Sequence, residues 1–351
     1  MSDLPRIDVI IPAYKAQNTI LRTLCSICEQ SILEDIDVTI VNDGDEEGYQ
    51  KFIDMFSPYM SIRELKLEKN MGPCCRQKGI EATNNPLFTC IDADDNFDSC
   101  FALKILRQQL LAEPYNVCCF ATFLEEQPET YVTHEMDSVW FFSKMYKRDF
   151  IKKYDIHIKE GLNSNEDNQF NMMCKLLANQ NEQIKYIKDC LYVWRHKEDS
   201  ITRKMNADYS YNGDKWASFY GYATGMIYAI KHAEKKNPFN PQILMQKIQV
   251  MISLYEYLIE VKDRRSDQYE KNWQWCKDYY REIYHEVKDK ISDEIFASVY
   301  NDCIRNCYMG NKLQGIIPAI GIREFMQKLE DEYKEDLKKE KQYKEETQEE
   351  D

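Results

Sequence analysis

Apolar and polar positions along the first ninety residues switch between strand-like and helix-like patterns. Ile7–Ile11 (IDVII) is a nearly unbroken β-branched run, as expected of a parallel strand covered on both faces. Pro12-Ala13-Tyr14 ends it. Asn18 is placed to cap a helix running to about Glu29, with Ile20, Leu21, Leu24, Ile27 and Cys28 at helical spacing. A second strand, Ile36–Val41, closes at Asn42-Asp43-Gly44-Asp45; a helix from about Glu47 to Phe56 and a third strand, Ser61–Leu67, follow. After the loop Asn70-Met71-Gly72-Pro73 come a helix from Cys74 to about Thr83 and a fourth strand, Leu87–Ile91. This alternation predicts an α/β fold with a mostly parallel, doubly wound sheet. Binding sites in such sheets lie at the carboxyl ends of the strands, where Asp43 and Asp92–Asp95 fall.

The second half reads as helical. Tyr209–Lys231 is aromatic-rich, and Pro238-Phe239-Asn240-Pro241 is a break. Gln242–Val261 then shows helical spacing at Ile243, Leu244, Ile248, Met251, Ile252, Tyr255 and Ile259. Further helices are expected around Tyr269–Val287 and Asp293–Tyr308. Gly310–Gly321 interrupts, and a charged helix from about Ile322 frays into an acidic disordered tail. The expected division is 1–204, 205–324 and 325–351.

Charge and cysteine usage narrow the classes. The net charge of −14 argues against a protein built mainly to neutralise nucleic-acid phosphates. Part of it is local, since residues 325–351 hold 6 Lys against 11 acidic residues. The 13 cysteines sit on apolar segments, and Cys25-Ser26-Ile27-Cys28 lacks the second half of a zinc or redox motif. They read as small core residues in a reducing cytoplasm. No run approaches a membrane span, so a cytoplasmic protein is expected, with any membrane attachment peripheral. There is no GxGxxG after the first strand and no GxxxxGK[ST], which argues against a dinucleotide dehydrogenase and a phosphate-loop NTPase.

The chemistry gathers in Thr89–Asp98 (TCIDADDNFD), where Asp92, Asp94 and Asp95 follow an apolar strand. Clustered carboxylates suit Mn²⁺ or Mg²⁺ bridging to substrate phosphates. A solvated turn would also use such residues. In the order IPAYKAQNTI, VNDG, NMGPCCRQKGI, IDADD, VWFFSKMYKRDFIKKYDI, NSNEDNQF and YVWRHKEDSIT, residues Ile7–Arg203 resemble family-2 glycosyltransferases. These are inverting, metal-dependent enzymes of the A-type glycosyltransferase fold.

The resemblance implies a role for each matched position. Pro12, Ala13 and Tyr14 would border the nucleotide, Asp43 would read its base, usually uracil, and Arg76 would reach the nucleotide. Gln77 stands where the family commonly has Asn. Asp94 would ligate the metal with Asp95 as a second candidate, while Asp92, beside Ala93, would contact ribose or a metal-bound water. Asp167 would be the general base that takes the acceptor proton, and Glu166 would position acceptor or base. His196 would complete the metal site or contact the diphosphate. Arg195, Ser200, Thr202 and Arg203 would close over the phosphates. Trp140 and Lys144 fall where the acceptor often packs, although Trp140 equally suits a core.

The implied function is inverting transfer of a sugar from a UDP-sugar to an acceptor hydroxyl, with Mn²⁺ or Mg²⁺. The catalytic region would be 1–204, with the helical region 205–324 serving acceptor binding, homo-oligomerisation or as a lid. A catalytically degenerate nucleotide-sugar-binding protein is the alternative. A glycan acceptor is favoured over hydroxymethylated bases in phage-type DNA, although the basic residues Lys144, Lys147, Arg148, Lys152, Lys153 and Lys159 suit a phosphate track. No motif names the sugar.

Overall fold

The computed structural model describes residues 4–162, 164–197, 215–260 and 267–290, together with 292, 294, 298, 324, 326–332, 334–335 and 337–339. Two compact units are present, Met1–Asn240 and Pro241–Asp351.

In the first unit, β1 (Ile7–Ala13), β2 (Ile36–Asn42), β3 (Ser61–Lys66) and β4 (Leu87–Cys90) pair in parallel in the order β3-β2-β1-β4. These are the four strands expected from the sequence. Their crossover helices are α1 (Ile20–Cys28), α2 (Gln50–Phe56) and α3 (Cys75–Glu81). Thr19, rather than Asn18, takes the N-cap of α1, with no side-chain capping bond. Ile20, Leu24 and Ile27 bury the inner face of that helix, while Leu21 is exposed.

Close approach places α3. A Cβ on Gly79 would lie 2.4 Å from Ile10 Cγ2 and 2.8 Å from Val41 Cγ2, so the helix backbone rests directly on β1 and β2. Arg76, one turn earlier, is thereby carried to the carboxyl ends of the strands.

The sheet then continues with mixed polarity. After β5 (Asn96–Phe97) and α4 (Ala102–Leu111) come β6 (Asn116–Glu126), β7 (Tyr131–His134) and β8 (Lys144–Lys147). Next are α5 (Arg148–Tyr154), α6 (Glu166–Leu177) and β9 (Gln183–Trp194). β8 runs antiparallel between β4 and β6, whereas β6 and β9 are parallel. β5 joins the free side of β9, which returns the chain after β9 to the acidic cluster.

The helix α7 (Lys215–Lys236) belongs to this first unit, packing on α6. The division between the two units falls between Asn240 and Pro241, within the break Pro238–Pro241. In the second unit, α8 (Pro241–Glu260) and α9 (Asp267–Val287) pack together, with Tyr255 and Tyr280 buried and stacked at 6.3 Å. Those two aromatics serve the core. Among the described residues beyond 323, Met326 and Leu329 are also buried. Most of the expected helix 293–308, the Gly310–Gly321 interruption and the acidic end lie outside the described residues.

Candidate active site

The carboxyl ends of β1 and β2 meet at Asp43. Its amide donates to Ala13 O at 2.9 Å, and its two carboxylate oxygens accept from the Met71 amide (2.7 Å) and the Gly72 amide (2.9 Å). Burial raises the pKa of Asp43, and the two amide bonds oppose the rise. Tyr14 projects at the mouth, about half exposed, beside the partly buried Pro12 and buried Ala13. Lys15 follows with a left-handed backbone (φ 50°), held by its amide bond to Asp45.

Beyond β4, one carboxylate oxygen from each of Asp92, Asp94 and Asp95 lies within 4.8 Å of the others. The three have different surroundings. Asp95 is almost wholly buried and accepts from the Tyr192 hydroxyl (2.6 Å) and the Arg195 amide (2.8 Å). Burial and the neighbouring charges of Asp92 and Asp94 push its pKa well up. Asp92 accepts from Arg76 at 2.6 Å. Asp94 is half-buried and faces the Lys197 ammonium at 3.9 Å, with burial and Asp92 raising its pKa.

Three oxygen donors this close suit a hard divalent cation. Asp95 already serves two donors, so Asp94 fits the ligand role better. His196 lies outside this three-acid grouping, yet its Nδ1 is buried without a hydrogen-bond partner among the described residues. An orphaned imidazole nitrogen, on the residue after Arg195 whose amide bonds Asp95, suits a ligand or diphosphate contact.

The other half of the site comes from the start of α6. Its N-cap, Asn165, has a left-handed backbone (φ 61°) and makes no side-chain cap bond. Glu166 is buried and bonds directly to Arg76, whose guanidinium therefore joins β4's acid to the first turn of α6. The same guanidinium lies 5.6 Å from the Phe141 ring centre. Asp167 accepts from the Asn168 amide at 2.7 Å. Burial, then the adjacent Glu166 charge, pushes the Asp167 carboxyl well above its ordinary range, with Arg76 pulling it back. That is the direction a proton acceptor working near neutral pH requires.

Some expectations change. Lys144 is fully buried: its ammonium bonds Asp137 (3.0 Å) and Phe142 O (3.1 Å) and lies 5.0 Å from the Phe120 ring centre. It is sealed from solvent and cannot line an acceptor surface. Trp140 is partly buried, tilted against Trp194 at 5.3 Å and stacked on Phe142. The Arg195 guanidinium bonds Asn96 (2.5 Å) and Glu126 (3.1 Å), so it anchors the chain after β9 instead of extending over a ligand. Glu126 also accepts from the His196 amide at 2.9 Å. Ser200, Thr202 and Arg203 lie outside the described residues.

The basic stretch is dispersed as well. Arg148 is buried against Asp8 (2.8 Å) and the carbonyls of Ile80 and Asn85. Lys153 pairs with Glu182. Three contributors were missed from sequence: Tyr192 and Glu126, which hold the acids and the following loop, and Lys197, directly after the WRH motif. Lys197's position there was the available signal; nothing local marked Glu126.

The mostly parallel α/β sheet with clustered acids at its strand ends has the architecture of the A-type glycosyltransferase fold. Residues 8–164 match the family described as Glycosyl transferase family 2. EpsH of Bacillus subtilis (strain 168), named as a glycosyltransferase, is 20% identical over 224 residues, 58% of this chain and 64% of that protein. The glycosyltransferase GlyA of Streptococcus pneumoniae is 24% identical over 225 residues, 56% of this chain and 32% of that protein. The chain thus spans less than two thirds of either relative. Among solved structures, S. aureus TarS residues 1–349 with UDP-GlcNAc superposes with a TM-score of 0.64 at 13% identity, covering 94% of this chain and 92% of that one. The mannosyltransferase PcManGT of Pyrobaculum calidifontis, with GDP-Man and Mn²⁺, gives 0.51 at 12% identity, over 93% and 85%. At these identities the likeness is one of fold. Among the described residues, no helix is long and apolar enough to cross a membrane.

Proposed function

We propose that this chain transfers a sugar from a UDP-sugar to an acceptor hydroxyl with inversion at the anomeric carbon. The observation that carries the reading is the Arg76 bridge, which holds the acid cluster after β4 and the acidic turn of α6 in one site. Asp43 would lie beside the base and Asp92 beside the ribose or phosphates. Asp94 would hold Mn²⁺ or Mg²⁺ with His196 near it. A bound divalent ion would neutralise the departing diphosphate. Asp167, its pKa raised by burial and the Glu166 charge, would take the acceptor proton, and Glu166 would keep the turn fixed through Arg76. Trp140 and Trp194 would offer an aromatic face for the acceptor ring.

A glycan acceptor fits better than DNA, because Lys144 and Arg148 are spent on buried acids and leave no continuous basic track. Homo-oligomerisation through the helical region 205–324 stays part of the proposal. The test is calorimetry with UDP, with and without Mn²⁺, followed by turnover of a UDP-sugar panel. Metal-dependent binding with release of UDP supports the reading. Binding without turnover across acceptors would favour the degenerate alternative, and no binding of any nucleoside diphosphate would remove both.

A further inference from the structure

Asn165 occupies the N-cap position of α6 in a left-handed conformation; it makes no side-chain cap bond, and its carbonyl accepts from the Gln169 amide at 3.0 Å. What lies against the turn is α7. A Cβ on Gly221 would sit 2.3 Å from Ser164 Oγ and 3.0 Å from Ser164 O, and one on Gly225 would sit 3.1 Å from Gln169 Cβ. Ser164 precedes Asp167 by three residues, and Gln169 follows it by two. The two glycines, four apart, share one face of α7, so both ends of the acidic turn touch its backbone.

Further contacts lock the same segment. Gln169 spans the loop, donating to His157 O (3.1 Å) and accepting from the Lys159 amide (3.0 Å). His157 Nδ1–H reaches Asp155 O at 2.7 Å, which leaves Nε2 to accept from the Tyr228 hydroxyl of α7. One turn on, His232 donates to Tyr154 O at 2.8 Å. The helix thus grips the end of α5 at Tyr154, the α5–α6 connection at His157 and the acidic turn at two more places.

We infer that Gly221 and Gly225 are positioning residues for the proposed reaction: by admitting the α7 backbone against Ser164 and Gln169, they set where the Asp167 carboxylate stands. The inference rests on the assignment of Asp167 as base. It makes α7 part of the catalytic machinery although none of these α7 residues touches the acid cluster.

The test is a cycle of Gly221→Ala, Ser164→Ala and the double variant. It is read by UDP-sugar turnover, Mn²⁺-dependent UDP binding and hydrogen exchange of the amides of residues 166–170. A misplacement of about 1 Å at a reacting group lowers the rate by up to roughly a hundredfold, so Gly221→Ala is expected to lose about ten- to a hundredfold in kcat. The donor KM and UDP affinity stay unchanged, and exchange at 166–170 quickens. Ser164→Ala removes the Oγ that the new methyl group meets, so the double variant recovers most of the lost kcat. Gly225→Ala, with a milder clash, shows a smaller loss of the same kind and serves if Gly221→Ala does not fold. Wild-type kcat and exchange in both glycine variants would overturn the inference. So would a loss that takes UDP binding with it and is not rescued by Ser164→Ala. If the wild-type protein turns over no UDP-sugar, the base assignment fails by itself, while exchange at 166–170 still decides whether α7 holds the turn.

Discussion

Arg76 and Asp92 meet at 2.6 Å, and the other arm of the same guanidinium bonds Glu166, 90 residues further along the chain. The cation and Glu166 are largely shielded from solvent while Asp92 is partly exposed, so solvent compensates little at Glu166 and more at Asp92. Removing one member of a buried charge set costs about 3–5 kcal/mol, because the remaining charges stay buried. Arg76→Met should therefore lower the unfolding free energy by about that amount and reduce turnover more than a hundredfold (the loss of two positioning contacts). Arg76→Lys, which cannot span both acids with a planar fork, should recover only part of either. Chemical denaturation alongside kinetics checks both effects.

The proton acceptor has a pH signature. Asp167 must be ionised to accept, and burial beside Glu166 raises its pKa well above the carboxylate range. Activity should thus fall as pH drops through that raised pKa, above pH 4, rather than near it. Asp167→Asn should abolish transfer and leave Mn²⁺-dependent UDP affinity nearly intact. A rate profile flat down to pH 4, or retained turnover in the variant, would reassign the base.

The acids after β4 should separate by experiment. Asp94→Ala should weaken metal-dependent UDP binding with little change in melting temperature. Asp95→Ala leaves the Tyr192 hydroxyl and the Arg195 amide without their partner and should cost about 1–3 kcal/mol of stability. Calorimetry and thermal unfolding on the two variants distinguish the roles. Equal loss of UDP binding without destabilisation would make Asp95 a second ligand. Chelation of the metal should mimic Asp94→Ala in the wild-type protein.

Lys144 offers a direct check on the corrected acceptor surface. Lys144→Met strands the buried Asp137 carboxylate and should destabilise the fold by about 3–5 kcal/mol. The acceptor KM should not move at temperatures where the variant is folded. A selective rise in acceptor KM would return the residue to the surface role.

The first four strands were legible because β1 and β2 are β-branched runs ending in polar turns, β3 and β4 are short apolar-containing segments between helical stretches, and a parallel sheet puts the acids that follow at its carboxyl edge. β5 and β8 were not: NF and KMYK are too short for any period to show, and only neighbouring strands give them their pairing. Arg76 was visible as a cation at a helix start, but its partners lie 16 and 90 residues away. Lys144 looked like its basic neighbours; what buries it is Asp137 and Phe120, brought together by folding. Gly221 and Gly225 give little pattern by themselves, and their meaning is the helix surface they touch.

The seating of Asp43 bears on how a nucleotide would be discriminated. Each of its oxygens already receives one amide, so any base that docks meets an acceptor drained of part of its negative charge, with only the outward lone pairs vacant. Discrimination there would come from angle more than from strength, rejecting a donor group that arrives a few tenths of an ångström out of line. The rung formed by Asp43, Met71 and Gly72 would also register occupancy. A base that draws on the carboxylate slackens its grip on the 70–72 loop, and whatever stiffens that loop sharpens the base's fit in return.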